Sequence, residues 1–310
     1  MQTENLARPV RIVSISFKDK PLDQIAALVD AEAANGVDLI ALPETWNDQA
    51  KNHPETLDGL TITTMARLAQ KHRTYLVCPI DRSQDGHRLN SAVLIDRLGQ
   101  VVCIYDKVYP YWSEFSYNPP VEPAQTRPRT YQTDFGCVGM AVCFDVNFPE
   151  VWQELADQGA ELIIWPSAYS AGTSLQAHAL NHHYYIVTST YTSDCIVYDI
   201  TGEEILYEKG GAIHVSRCTL DLDRGIYHEN FNIEKRDRLL AEQGDVVEIE
   251  QRLPREQWFV LKAKRPGVSA RALAKQYGME ELRDYLTRSR REIEAMRGRA
   301  FAHAEGMTSA

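Results

Sequence analysis

The chain has 310 residues, a formal net charge of −10, 44% hydrophobic and 25% charged residues. That balance suits a globular protein with a substantial core. The acidic excess argues against nucleic acid or anionic membrane as a partner, and no apolar run approaches the length of a membrane span.

The first residues, MQTENLARPVRIVSISF, lack the basic region, apolar core and cleavage site of a signal peptide. The 6 cysteines, at 78, 103, 137, 143, 195 and 218, lie mostly in apolar runs and show no metal spacing. Reduced thiols in a cytoplasmic protein are expected, not a disulfide framework.

In chain order, residues 10–17 (VRIVSISF) alternate and are rich in β-branched side chains, which predicts a first strand. Residues 22–35 carry apolar positions at helical spacing and stop before Gly36. A short buried strand is expected at 38–43 (DLIALP), a helix at 59–72 and a strand at 74–80. Residues 81–88 read as a polar turn around Asp85-Gly86, a strong hairpin signal. Strands at 89–96 and 101–107 follow, joined at 97–100 by a second hairpin. Residues 109–129 are rich in proline and aromatics without period, the mark of a functional loop. A strand leading to Cys143 precedes a helix at 151–159. A strand at 161–166 and a helix at 174–185 come next, then strands at 186–191, 195–200, 204–208 and 215–222. Beyond 223 the character changes. Residues 224–255 are charged and weakly patterned, with helical segments at 269–277 and 279–299. Domain organisation is therefore expected as a core over 1–223 and a tail over 224–310, lying on the body or on a partner subunit and not forming a second domain. Strands and helices alternate, with hairpins interrupting the rhythm, which predicts an α/β layered fold with mixed sheets.

The stretch GCVGMAVCFDVNFPE, 136–150, is an apolar run ending in a cysteine, a polar turn and a helix start. A lone cysteine in such a run is most often a core residue. At the lip of a sheet, however, the N–H groups of the following turn can favour a thiolate and hold an oxyanion. Glu44 and Lys107 share its placement: each ends an apolar strand, DLIALP before Glu44 and VVCIYD before Lys107. Strand-end loops are where sites assemble in α/β folds. A carboxylate can take the thiol proton and return it to a departing amine. An ammonium can stabilise the thiolate and a tetrahedral oxyanion, and the thiol can attack a carbonyl or nitrile carbon.

Residues 41–44 (ALPE), 105–115 (YDKVYPYWSEF) and 139–150 (GMAVCFDVNFPE) resemble the three landmarks of the nitrilase superfamily of carbon–nitrogen hydrolases, in the family's order. The segments NSAVLID at 90–96 with Gly99, and GAELI at 159–163, are similar as well. The resemblance spans about residues 8–222. It implies a four-layer αββα sandwich and a Glu–Lys–Cys triad with Glu44 as general base and acid, Lys107 as oxyanion support and Cys143 as nucleophile. It also implies Glu114 as a second glutamate orienting Lys107 and the substrate, and the N–H of Phe144 as an oxyanion donor; Asp145 is expected to brace the turn. No metal or organic cofactor is needed for the implied two-step reaction, thioester formation and hydrolysis.

Cys143-Phe144-Asp145 departs from the Cys-Trp-Glu of nitrilases proper, and Asn147-Phe148-Pro149-Glu150 is closer to aliphatic amidases, which favours a neutral amide, small or aromatic. A carbamoyl-amino-acid hydrolase, a nitrilase or an acyltransferase on the same scaffold are the alternatives, and a scaffold protein that kept the fold is the reading outside enzymology. Arg127 and Arg129 are candidates for a carboxylate clamp; Tyr111, Trp112, Trp165, Ala168 and Tyr169 are candidates for the substrate walls. His178 and His182 stand at i, i+4 on a helix beside His183, but without the acidic residue of a His-Glu-x-x-His site, so packing is expected of them in place of zinc. A homodimer or higher homo-oligomer is implied by the resemblance, with the long C-terminal segment as its only support in the chain.

Overall fold

A computed structural model describes residues 6–47 and 53–299. Two compact units are found, residues 10–220 and residues 6–9 with 221–299.

In the larger unit the elements run β1 (Pro9–Phe17), α1 (Leu22–Ala33), β2 (Leu39–Ala41), α2 (Leu60–His72), β3 (Tyr75–Gln84), β4 (His87–Ile95) and β5 (Val101–Asp106). They continue with β6 (Tyr131–Gln132), β7 (Cys137–Met140), α3 (Pro149–Asp157), β8 (Leu162–Ser167), α4 (Gly172–His182), β9 (Tyr185–Thr190), β10 (Asp194–Tyr198), β11 (Glu204–Lys209) and β12 (Ile213–Asp221). Two six-stranded mixed sheets result, ordered β12-β1-β2-β3-β4-β5 and β11-β10-β9-β8-β7-β6. This is the expected four-layer αββα sandwich.

The alternation of β1 shows how the layers form. Val13, Ile15 and Phe17 point to a core shared with Leu22, Ile25 and Val29 of α1 and with Ile62 and Met65 of α2. Ser14 and Ser16 point the other way, to the second sheet. Their hydroxyls donate to the Thr188 carbonyl at 2.6 Å and the Asp194 carbonyl at 2.8 Å, while the Ser189 hydroxyl returns a bond to the Ile15 carbonyl at 2.8 Å. Small hydroxyls let the sheets approach closely and satisfy the polar groups buried between them. On the outer face of the second sheet, Val151, Trp152 and Leu155 bury one side of α3. Gly139 on β7 permits that approach: a Cβ there would lie 2.7 Å from Ile163 Cδ1 and 3.1 Å from Leu155 Cδ2.

The expected polar turn over 81–88 is shorter than the sequence suggests. Strand β3 continues to Gln84 and β4 starts at His87, so only Asp85 and Gly86 turn, both at positive φ (52° and 86°). The strands tolerate their charges because each buried arginine has an acid: Arg82 on Asp106 at 2.7 Å and Arg88 on Asp81. The loop over 109–129 contains one short 3-10 helix, Trp112–Ser116.

Where the sequence suggests a charged tail, the smaller unit has elements of its own: β13 (Gly225–His228), α5 (Ile233–Gln243), β14 (Val247–Leu253), β15 (Trp258–Ala263), α6 (Ala270–Gln276) and α7 (Leu282–Met296). The strands form an antiparallel sheet ordered β13-β15-β14, over a core that includes Tyr227, Leu239, Val247, Phe259 and Ala274. The pattern is hard to read because a register shift between Ile249 and Gln251 breaks the alternation of β14. A buried arginine, Arg236, lies 5.3 Å over the Phe259 ring where an apolar residue would have signalled the core. No helix among the described residues is long and apolar enough to cross a membrane.

Candidate active site

Three strand ends of the larger unit converge on one cavity of about 510 Å³. Glu44, just past β2, enters it from a turn in which Thr45 has a φ of 34°. The Tyr191 hydroxyl fixes that turn by donating to the Thr45 carbonyl at 3.1 Å. Lys107 follows β5 directly; its N–H donates to the Asn90 carbonyl at 2.8 Å and its carbonyl accepts from Ala124 at 3.1 Å. With the backbone held on both sides, the side chain is committed to the interior, where it is 1% exposed. Cys143 opens a 3-10 turn, Cys143–Asn147, at a φ of 46°. Left-handed backbone at a non-glycine residue is costly, of the order of 1–3 kcal/mol, and clusters at functional sites.

The turn is braced by Asp145, as expected of it. Its carboxylate accepts from the Tyr105 hydroxyl at 2.7 Å, the Tyr109 N–H at 2.8 Å and the Val142 N–H at 3.1 Å. Burial pushes the Asp145 carboxyl up to about 7, against these donors and the nearby Lys107 cation.

At the centre lies Lys107. Its Nζ is 2.8 Å from Glu44 Oε1 and 2.7 Å from Glu114 Oε2. Burial works against the ammonium, but Glu44, the Cys143 sulfur and Glu114 outweigh it and hold its proton more tightly than on an ordinary lysine. Glu114, on the 3-10 helix after Lys107, also accepts the Tyr111 N–H at 2.6 Å. The Cys143 thiol is pushed up to about 12, first by burial and then by Glu44; Lys107, the Ser167 side chain and the Ala168 N–H pull the other way. Burial and Glu44 thus favour the thiol over the thiolate, and a base to remove its proton aids attack. Among the described residues, Glu44 Oε2 is buried without a hydrogen-bond partner.

Of the expected walls, Tyr111, Ala168 and Tyr169 line the cavity, and Phe144, expected as an oxyanion donor, lines it too. Trp112 and Trp165 do not. Trp112 is 66% exposed and leans on Tyr111 from outside, with ring centroids 5.5 Å apart. Trp165 is fully buried and supports Tyr169 edge-on at 5.7 Å, because an inward position on β8 belongs to the core. Arg127 and Arg129 are exposed and outside the lining, so they form no clamp there; Arg127 faces Glu154 at 3.9 Å. His178 stacks on Trp152 at 4.3 Å with Nε2 facing the Val146 carbonyl at 2.9 Å, His182 stacks near it, and His183 Nδ1 faces the Ile200 carbonyl at 3.2 Å.

Sequence reading missed Asn90, Ser167, Tyr191 and the Asp81–Arg88 pair, all part of this site. Asn90 carried a signal: asparagine is depleted inside strands, and here one precedes SAVLI.

A thiol, an ammonium and a carboxylate gathered at strand ends, with a second carboxylate from the loop after β5, are the equipment of a thiol hydrolase. The family is settled by comparison: residues 14–219 match the model of the carbon–nitrogen hydrolases, so the chain belongs to that family. It is an amidohydrolase acting on carbon–nitrogen bonds other than peptide bonds. Among curated relatives, the deaminated glutathione amidase of Synechocystis sp. is 27% identical over 216 residues, covering 60% of this chain and 77% of that protein. The N-carbamoylputrescine amidase of Arabidopsis thaliana is 26% identical over 298 residues, covering 86% of this chain and 96% of its own. Among solved structures, a cysteine-to-alanine mutant of the Nesterenkonia sp. AN1 amidase in complex with butyramide is similar with a TM-score of 0.61 at 18% identity, over 76% of this chain and 97% of that one. Saccharomyces cerevisiae Nit3 is similar with a TM-score of 0.58 at 19% identity, over 68% and 90%.

Proposed function

We propose that the enzyme hydrolyses a small, uncharged amide to a carboxylate and ammonia through a thioester on Cys143. The observation that carries the reading is the buried Lys107 ammonium, gripped at 2.8 and 2.7 Å by two glutamates in the cavity that holds the thiol. Glu44 takes the thiol proton on Oε2, which no described residue engages, as sulfur adds to the carbonyl carbon. Lys107 and the Phe144 N–H receive the oxyanion, and Glu114 keeps Lys107 aimed. Glu44 then protonates the departing nitrogen, and in the second step takes a proton from the water that cleaves the thioester.

Charge favours an uncharged substrate. Lys107 is held between carboxylates, and the Arg88 guanidinium is engaged by Asp81 and by the Pro119 carbonyl at 3.1 Å. Among the described residues lining the cavity, nothing cationic is left over to meet a substrate carboxylate, which speaks against carbamoyl amino acids. Tyr111, Phe144, Ala168 and Tyr169 offer apolar surface to the acyl group.

Ammonia release from a panel of aliphatic and aromatic amides, carbamoyl amino acids and nitriles tests the reading, with Cys143→Ala as control. Release from amides, lost in the variant, is the expected result. Full activity of the variant would end the proposal; release mainly from carbamoyl acids or nitriles would overturn the substrate class. Acyl transfer would appear as hydroxamate when hydroxylamine is added.

The working form is proposed to be a cytoplasmic homodimer or higher homo-oligomer. Six free cysteines fit a reducing compartment. Leu286, Ile293 and Met296 leave an exposed apolar stripe on α7, at 41%, 46% and 85% exposure. A monomeric mass by light scattering would refute the assembly.

A further inference from the structure

We propose that Asn90 is a positioning residue of the reaction: its carboxamide NH₂ ties the two glutamates together and leaves Glu44 a single oxygen, Oε2, with which to carry protons. The proposal rests on Glu44 acting as the base.

Asn90 stands on β4, is 3% exposed and lines the cavity. Its Nδ2 donates to Glu44 Oε1 at 2.7 Å and to Glu114 Oε1 at 2.8 Å. With the bonds from Lys107 to Glu44 Oε1 and to Glu114 Oε2, this closes a ring of four side chains. Both protons of the amide and two of the ammonium are thereby assigned.

The orientation of the amide is not free to reverse. Turned over, its oxygen would face two carboxylate oxygens, acceptor against acceptor. In the orientation present, Asn90 Oδ1 is buried without a partner among the described residues. Leaving such an acceptor unmet costs about 1–3 kcal/mol, so the carboxylates, not the oxygen, decide how the side chain sits.

The choice of residue follows from charge. Two carboxylates near one ammonium repel each other, and a second cation between them would compete for the same oxygens. A neutral double donor holds both without altering the charge of the site. It also resolves an ambiguity in Glu44, whose two oxygens would otherwise be interchangeable. Oε1 receives Lys107 and Asn90, and Oε2 receives neither. The titratable groups facing Glu44 are Lys107 from the end of β5, Cys143 from the 3-10 turn, Tyr169 from the loop after β8 and Tyr191 from the turn after β9, with Glu114 reached through Lys107 and Asn90. Among these neighbours Asn90 is a neutral donor whose loss leaves every formal charge in place.

The test is a graded series, Asn90→Ser and Asn90→Ala, with Glu44→Gln and Cys143→Ala assayed beside it. Serine can donate to one glutamate, alanine to neither. Expected are kcat losses of about tenfold for serine and about 100-fold for alanine, with KM within about threefold. The acid limb of the kcat/KM profile should move to higher pH in the same order, because each lost donor makes the glutamate easier to protonate. If alanine does not yield folded protein, serine against wild type carries the comparison. Unchanged kcat, or a fall with an unmoved acid limb, would overturn the role of Asn90. If Glu44→Gln retained activity, the failure would lie instead with Glu44 as base.

Discussion

Exchange of Glu114 for glutamine separates an orienting carboxylate from one that merely lies near. Both of its oxygens accept from donors: Oε1 from Asn90, and Oε2 from Lys107 and the Tyr111 N–H. Glutamine offers one oxygen and one NH₂ in the same volume. If the NH₂ faces Lys107 it opposes an ammonium and a backbone N–H; if it faces Asn90 it opposes that residue's NH₂. Neither rotamer avoids a donor–donor clash, and in both the charge that helps hold Lys107 is gone. A charge-assisted hydrogen bond is worth about 1.5–3 kcal/mol. If the same amount is lost from the aim of Lys107 at the oxyanion, kcat falls by about 10- to 100-fold at 1.36 kcal/mol per decade. Glu114→Gln should therefore show a kcat loss in that range with KM little changed, and lower thermal stability. Steady-state ammonia release and thermal denaturation measure the two. A variant within twofold of wild type in kcat, with an unshifted melting temperature, would show that Lys107 is aimed by Glu44 alone.

Two further outcomes follow from the charges. Glu44→Gln should lose about 10²–10⁴ in kcat, as expected for removal of a general base. Yet its Cys143 thiol should ionise below the wild-type value of about 12, because a raising charge is gone and Lys107 remains; thiolate absorbance against pH reads this directly, and an unmoved or higher midpoint would contradict the arrangement. Asp145 is raised to about 7 from an ordinary value of 3.8, so the folded state binds a proton that the unfolded state has released. Its contribution to stability is present in full below about pH 3.8 and is lost as pH rises through about 7. The stability difference between wild type and Asp145→Asn should therefore change between pH 4 and 7 and level off above, as followed by urea denaturation; a difference constant with pH would refute the raised carboxyl.

What the sequence revealed and what it hid divide along a physical line. Glu44, Lys107 and Cys143 were legible because each interrupts a strand-like apolar run at its end, a place where local pattern and site coincide. Glu114 sits in an aperiodic loop, and only the 3-10 helix starting at Trp112 brings its carboxylate back to the lysine seven positions earlier. Trp112 and Trp165 show the opposite failure: composition marks an aromatic as important, but whether it faces a cavity, a core or solvent depends on strand phase and loop course. The smaller unit was obscured by a register shift in β14 and by the buried Arg236 stacked on Phe259, which place a break in period and a charge where a core signal should stand. Asn90 is the most instructive case. Its amide bridges residues 46 and 24 positions away, so its role exists only once β2, β4 and the loop after β5 are assembled. The sequence nonetheless carried its trace, a poor strand former in the middle of a strand. Local propensity was given up at that position, and the two carboxylates now facing Asn90 supply the reason.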